Sequence, residues 1–163
     1  MKRLWLLGLI GLLSIPFLSV KSEDPVPEGY EHWTSSLLKP VVEALTSQAA
    51  KDAHHSAMKP LADFPNEAIL EVHREADGQI EWHETQSDIF LVQSGSATLL
   101  VGGTYLNGET TAPHEKRNGT IQGGIRQKLG PGDVVRIPAK VPHQVLVEGG
   151  HEFTYLVVKA KGY

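Results

Sequence analysis

The stretch that decides the fold spans residues 81–88 and reads Glu81-Trp82-His83-Glu84-Thr85-Gln86-Ser87-Asp88. Side chains alternate between the two faces of a β-strand, so Glu81 and His83 point to the same side of the strand that holds them. The polar residues after His83 are typical of a turn, and Asp88 opens a second, apolar strand. A tight reversal between the two strands brings the Asp88 carboxylate back towards Glu81 and His83.

His143, in the dipeptide Pro142-His143, is the distant partner of this stretch. Two carboxylates and two imidazoles that converge make a site for one divalent metal with open coordination positions. Two other interpretations stay open: a hydrogen-bonded polar network without metal, and the lining of a sugar pocket. Asp88 could also face solvent at the start of its strand, but Phe90 and Val92 share its face and favour an inward direction.

Short strand-like segments continue from Asn66 to the end of the chain, with turn dipeptides between them. Asp77-Gly78 predicts a hairpin between residues 68–74 and 79–83, because both of its positions tolerate positive φ. About eight such strands, with no helical pattern of useful length among them, predict an antiparallel sandwich or barrel. Residues 110–124 are polar and too long for a simple hairpin turn, so they predict a flap whose role the sequence leaves open.

The N-terminal residues 1–22 differ from the rest of the chain. Lys2 and Arg3 precede an uncharged apolar run from Leu4 to Val20, which is the pattern of an export signal and predicts a periplasmic or secreted protein. An uncleaved membrane anchor is the alternative, and Pro16 and the shortness of the run argue against it.

Residues 23–65 are interpreted as a linker followed by a helix, and residues 66–163 as the barrel. The linker holds Pro25 and Pro27, and Thr34 or Ser35 can cap the helix. The helix has one apolar stripe, formed by Leu37, Leu38, Val41, Val42 and Leu45.

Composition excludes several classes of protein. The chain has 163 residues, enough for one domain with a core, and no cysteine, so disulfides and thiolate metal ligands are excluded. Its formal net charge is −4, and without Lys2, Arg3 and Lys21 only 12 basic side chains remain against 19 acidic ones. No basic stripe with interleaved aromatic residues is present, so we expect no nucleic-acid partner, and the acidic surface argues against binding to anionic membranes.

Two spaced motifs resemble those of the small single-domain cupins. The first cupin motif has the form G-x5-H-x-H-x(3,4)-E-x6-G, and here Glu81, His83, Asp88 and Gly95 match its spacing from the first histidine onwards. The second has the form G-x5-P-x-G-x2-H-x3-N, and the matching residues are Gly132, Pro138 and His143, with Lys140 in the last glycine position and Val147 in place of asparagine.

The resemblance implies an all-β fold, the cupin double-stranded β-helix (jelly-roll barrel), here with a short N-terminal helical extension. It also implies a divalent metal held by Glu81, His83, Asp88 and His143. Glu81 stands where the family has a histidine, and Asp88 where it has a glutamate. Because carboxylates are harder ligands than imidazoles, this set favours manganese or iron(II), with zinc or nickel as further candidates.

The function that this site implies is an exported metalloenzyme acting on a small oxygenated molecule, as a dioxygenase, isomerase or lyase. Glu81 is the candidate catalytic base, because its longer side chain can leave the metal, and Glu84 is a second candidate. The alternative is a non-catalytic module that binds a carbohydrate or another small molecule, with a structural metal or none. A homodimer is a further expectation, because the outward face with Ile89 and Leu91 needs cover from the helix or from a second barrel.

Overall fold

The structure is a computed structural model that describes residues 25–162, so the interpretation of residues 1–22 as an export signal lies outside the described residues. The described residues fall into two units, residues 25–32 and residues 33–162. Of the first unit, residues 25–32 are exposed and hold a single turn, in which the Tyr30 N–H donates to the Pro27 carbonyl at 3.1 Å.

Residues 33–162 of the second unit form one helix and thirteen short strands, in agreement with the predicted all-β domain and its N-terminal helix. Their bounds are α1 Ser35–Ala49, β1 Ser56–Asp63, β2 Glu67–Arg74, β3 Glu81–His83, β4 Gln86–Gly95, β5 Ala97–Val101, β6 Thr104–Leu106, β7 Glu109–Ala112, β8 Glu115–Arg117, β9 Thr120–Gln122, β10 Ile125–Leu129, β11 Val134–Ile137, β12 His143–Leu146 and β13 Phe153–Lys161.

Two antiparallel sheets form the body of this unit. One has five strands in the order β1-β2-β13-β4-β11, and the other has six in the order β10-β5-β12-β3-β8-β7. The strands β6 and β9 pair separately. The chain passes from one sheet to the other at each step from β2 to β5 and at each step from β10 to β13. This alternation is that of a jelly roll, so the predicted fold class is confirmed.

The hairpin predicted at Asp77-Gly78 is wrong, because β2 belongs to the five-stranded sheet and β3 to the six-stranded one. The Gly78 N–H donates to the Val145 carbonyl and the Val147 N–H donates to Asp77 Oδ1, each at 2.8 Å. These bonds connect Gly78 to β12 and Asp77 to Val147, the residue after β12. Turn chemistry is local and reverses the chain, but long-range pairing decides which sheet the next strand joins.

β1 lies in residues 23–65, where the sequence analysis expects a linker and a helix. It pairs with β2 along its length, with Ala57 opposite His73, and its register shifts between Pro60 and Ala62. β1 is an edge strand, which is where proline is tolerated in a sheet. With no β-branched residue, its sequence gives little strand signal, and its conformation depends on β2.

The core lies between the inner faces of the two sheets. The side chains of β4 alternate, so that Asp88, Phe90 and Val92 point inward and are buried. The Phe90 and Tyr155 rings lie 4.7 Å apart between centroids. Further buried members of this core are Val72, Leu99, Leu129, Ile137, Val145, Phe153 and Val157.

Gly95 ends β4 where the chain leaves the five-stranded sheet. Its φ is +77°, and a Cβ at this position would lie 1.9 Å from the Glu152 carbonyl oxygen. Only glycine fits both the left-handed conformation and the close approach of the neighbouring backbone.

α1 packs on β1 and β2 through one face. Leu45 and Ala49 are buried and Leu38 is partly buried, whereas Leu37, counted in the predicted stripe, is 58% exposed. α1 leaves part of the sheet uncovered, since Leu91 and Val134 face each other in register and are 40% and 68% exposed. Within residues 25–162, no helix is both long enough and apolar enough to cross a membrane.

We expect Leu45→Ala to lower the free energy of unfolding by about 2–4 kcal/mol, because it empties a fully buried site between helix and sheet. Leu37→Ala, on the same helix, should change it by less than about 0.5 kcal/mol. Urea unfolding of both variants measures the difference. Equal losses would show that the helix does not pack through this face.

Glu71 gives a pH-dependent prediction. It is fully buried on β2, and burial raises its pKa, although the Gln93 amide donates to its Oε2 at 3.1 Å and works in the opposite direction. Folding therefore becomes costlier as the pH rises above the unfolded-state pKa of about 4.3. We expect Glu71→Gln to be more stable than the parent at neutral pH, with a gain that shrinks as the pH falls towards 4.5. Urea unfolding across this range, with Glu67→Gln on the exposed end of β2 as control, measures it; a gain independent of pH would contradict the assignment.

Candidate metal centre

The four side chains singled out by the sequence come together between the two sheets. Glu81 and His83 share one face of β3, and His143, the first residue of β12, lies opposite Glu81 in register. Asp88 reaches them from β4 in the other sheet. One ligand atom from each of the four lies within 4.8 Å of all the others. His83, Asp88 and His143 are 2–3% exposed, so the inward direction predicted for Asp88 is confirmed.

The distances between the candidate ligand atoms suit a single ion. His83 Nε2 lies 3.4 Å from both Glu81 Oε2 and Asp88 Oδ2, and His143 Nε2 lies 3.6 Å from Asp88 Oδ2. Ligand bonds of about 2.0–2.2 Å place neighbouring ligand atoms about 3–3.5 Å apart. The cluster is therefore close to the size that a small divalent metal needs.

Both imidazoles are oriented by a contact on their other nitrogen. His83 Nδ1 lies 2.6 Å from Glu115 Oε2, and His143 Nδ1 lies 3.1 Å from the Val141 carbonyl oxygen, which only accepts. In each ring this turns Nε2 towards the centre, and the buried His143 Nε2 has no hydrogen-bond partner among the described residues. A carboxylate or carbonyl behind a histidine is the usual support of a metal-ligating imidazole.

Glu115 is a residue that sequence reasoning missed. It lies in the segment 110–124, predicted to be a flap, but residues 109–117 form the β7–β8 hairpin at the edge of the six-stranded sheet. β8 pairs with β3 and places Glu115 opposite His83. Only this pairing identifies Glu115, because a lone glutamate in a polar segment carries no signal of its own.

Three cationic side chains also surround the cluster, and none of them was predicted from the sequence to belong to it. Arg117, opposite Glu81 in register, forms a close ion pair with the Glu81 carboxylate. Arg74 Nη2 lies 3.6 Å from Glu81 Oε1. Lys159, opposite Asp88 on β13, donates to Asp88 Oδ2 at 3.0 Å and lies 3.4 Å from His83 Nε2.

These neighbours set the charge states in the metal-free cluster. Burial works against ionisation of Asp88, but His143, His83 and Lys159 outweigh it and hold the pKa of that carboxyl well below its usual range. Burial likewise opposes ionisation of Glu81, and contacts with His83, Lys159 and Arg117 hold its pKa low. For His83, burial is outweighed by the adjacent carboxylates of Asp88 and Glu81, which raise its pKa to about 9. A metal and a proton would compete for this nitrogen.

The cluster opens into the barrel cavity, which has a volume of about 410 Å³. Glu81, Asp88 and Lys159 lie in its wall, so the centre can be reached by a small molecule. Glu84, the second candidate base, pairs instead with the exposed His114 at 2.7 Å, on the hairpin turn.

The residues present fit a divalent metal. Two imidazole nitrogens and two carboxylates face one point, and the orphaned His143 Nε2 is a donor atom without another use. Lys159 is the feature that must change, because its ammonium group now contacts Asp88. A lysine side chain is flexible enough to move aside, so this cluster could bind a metal ion.

No protein-family profile matches the chain, and no curated protein matches it either. Solved structures do match. They include the polyketide cyclase RemF from Streptomyces resistomycificus, with 20% identity over 64% of each chain and a TM-score of 0.46. The dimethylsulfoniopropionate (DMSP) lyase DddQ from Ruegeria pomeroyi DSS-3 has 20% identity over 64% of this chain and 46% of its own, with a TM-score of 0.47.

KdgF from a Halomonas species has 17% identity over 69% of this chain and 84% of its own, with a TM-score of 0.48. These proteins are cupin-type double-stranded β-helices. This chain spans less than two thirds of the length of RemF and of DddQ. At such identities and TM-scores the activities of these proteins do not transfer. The strand order of this chain shows the jelly roll by itself, in agreement with the predicted fold class.

We expect Glu115→Gln to weaken metal binding by about 10- to 100-fold, because it removes the carboxylate that orients His83. Glu109→Gln, on the neighbouring strand β7, should leave the affinity unchanged. Titration of metal-free protein with Mn²⁺ against a chelator of known affinity measures both. Equal affinities for Glu115→Gln and the parent would mean that the Glu115 carboxylate does not support His83 as a ligand.

Proposed function

We propose that this protein is an exported metalloenzyme that acts on a small oxygenated molecule at the site formed by Glu81, His83, Asp88 and His143. The observation that carries the proposal is the convergence of these four side chains, with both Nε2 atoms turned inward, at the wall of an open cavity. A purely structural polar cluster does not need a buried imidazole nitrogen without a hydrogen-bond partner, as His143 Nε2 is.

The donor set favours manganese or iron(II), since two of its four ligands are carboxylates, and zinc or nickel are weaker candidates. When bound, such an ion polarises substrate oxygens and stabilises the negative charge that develops on them. The reaction classes that suit this chemistry are those of a dioxygenase, an isomerase or a lyase.

The protein's own side chains have distinct roles in this proposal. His83, Asp88 and His143 are buried and hold the ion, with Glu115 fixing the orientation of His83. Glu81 is the more exposed of the four, at 21% of its side chain, and lies in the cavity wall. It is therefore the one of the four that a molecule in the cavity reaches most easily, and it is our candidate for the group that accepts a proton from the substrate; Arg117 and Arg74 pair with its carboxylate before substrate binds.

A second function is favoured by Lys159. Its ammonium group already neutralises Asp88 without any metal, which is the arrangement that a metal-free binding module would use. In that case the cavity captures a carbohydrate or another small molecule and performs no chemistry on it.

Export is inferred from the sequence of residues 1–22 alone, a basic start followed by an uncharged apolar run. We infer a periplasmic or secreted location for the mature protein. A second barrel over the exposed Leu91 and Val134 would be a homodimer, as expected for an uncovered apolar face.

Elemental analysis of protein purified without a polyhistidine tag tests the proposal. We expect close to one transition metal ion per chain, with loss of the ion in His83→Ala and in Asp88→Ala. His151→Ala, which changes an exposed histidine, should keep the metal and serves as the control. Protein without metal, which also fails to bind added Mn²⁺ or Fe²⁺ while both variants fold normally, would favour the binding module instead.

A further inference from the structure

We propose that the molecule bound next to the metal is a small carboxylic acid with an apolar body, recognised through Lys159, Arg117 and Arg74. This inference rests on the proposed function and specifies its substrate class. It is carried by the positive charge concentrated in the cavity wall and by the composition of the rest of that wall.

The three cations line the cavity, and each now contacts a carboxylate of the candidate metal centre. Lys159 contacts Asp88, and the two arginines contact Glu81. Arg74 is only 7% exposed, and its position is fixed because Nε donates to the Tyr155 hydroxyl at 3.2 Å and Nη1 donates to Ser56 Oγ at 3.1 Å. An arginine held in this way at a cavity wall is preorganised for an anion.

Metal binding changes the charge balance of this region. Three carboxylates, those of Glu81, Asp88 and Glu115, face the three cations, so these six groups, counted without the two histidines, balance in formal charge before metal binds. A divalent ion adds two positive charges and draws the carboxylates of Glu81 and Asp88 to itself. Lys159 then loses its partner at a largely buried position, where an uncompensated charge is costly. A bound carboxylate restores the compensation.

The other acidic residues of the cavity do not neutralise the positive charge that metal binding leaves uncompensated. Asp52 and Asp77 also line it, but both are exposed, and each accepts a backbone hydrogen bond, from the His54 N–H at 2.9 Å and the Val147 N–H at 2.8 Å. Charges in contact with solvent are screened, whereas the buried Arg74 and the largely buried Lys159 are screened much less.

The rest of the cavity wall determines which kind of molecular body the carboxylate ligand carries. Leu70, Val72, Phe90 and Val157 line the same cavity and form an apolar surface. Its volume of about 410 Å³ is at the lower end of the range for small-molecule pockets. A sugar, with hydroxyl groups in all directions, would leave these groups unpaired against that surface, whereas a short acid with a hydrocarbon tail matches it.

Isothermal titration calorimetry with a matched pair of probes tests this. The probes are 4-methylpentanoate and its neutral amide, 4-methylpentanamide, added to metal-free and to Mn²⁺-loaded protein, with Mn²⁺ uptake measured separately. We expect the loaded protein to bind the acid about tenfold or more tightly than the amide, because a charge-assisted hydrogen bond is lost with the amide. In the metal-free protein, where Asp88 still holds Lys159, this preference should be smaller.

Two variants assign the preference to the cations. Lys159→Met and Arg117→Gln should each reduce it about tenfold while leaving binding of the amide unchanged. Lys161→Met is the matched control, since Lys161 lies two residues further along β13 and pairs with Asp63 instead.

The outcomes separate this inference from the proposed function. Protein that does not take up Mn²⁺ overturns both. Mn²⁺ uptake without a preference for the acid overturns the substrate class alone. A preference that survives in both Lys159→Met and Arg117→Gln shows that the metal by itself selects the acid, and overturns the role given to these side chains.

Discussion

A carboxylate buried between two β-sheets has to find positive charge or hydrogen-bond donors, and Asp88 is the residue on which this constraint acts most strongly. It is 2% exposed and meets His83 and His143 from the opposite sheet, and Lys159 from the next strand. Burial without these partners would cost several kcal/mol. The contacts that compensate the Asp88 carboxylate therefore also hold the two sheets together.

The fold followed from the sequence because its signals are local and repeated. The alternation in β4 placed Asp88, Phe90 and Val92 on one face, and the structure buries all three. Motif spacing then identified the four side chains that converge. Metal identity, export and any catalytic role of Glu81 rest on the sequence and on chemistry, and they stay predictions.

Other parts could not be read from the sequence, because they depend on pairing between distant strands. Asp77-Gly78 has the chemistry of a hairpin turn, yet it carries the chain across to the other sheet. β1 is a strand only because β2 offers it an edge. Glu115, Arg117 and Lys159 reach the centre through the register of β8 with β3 and of β13 with β4, and nothing in their immediate neighbours in sequence marks them.

The ammonium group of Lys159 beside Asp88 affects whether the protein folds before or after it binds metal. Many small metalloproteins stay unfolded until an ion neutralises their ligands. Here the Lys159 ammonium group neutralises Asp88 from within the chain, so the barrel can fold before it binds an ion. The ion then replaces the Lys159 ammonium group at Asp88 in a protein that is already folded. The rate of metal binding is set by how readily this lysine side chain moves away from Asp88.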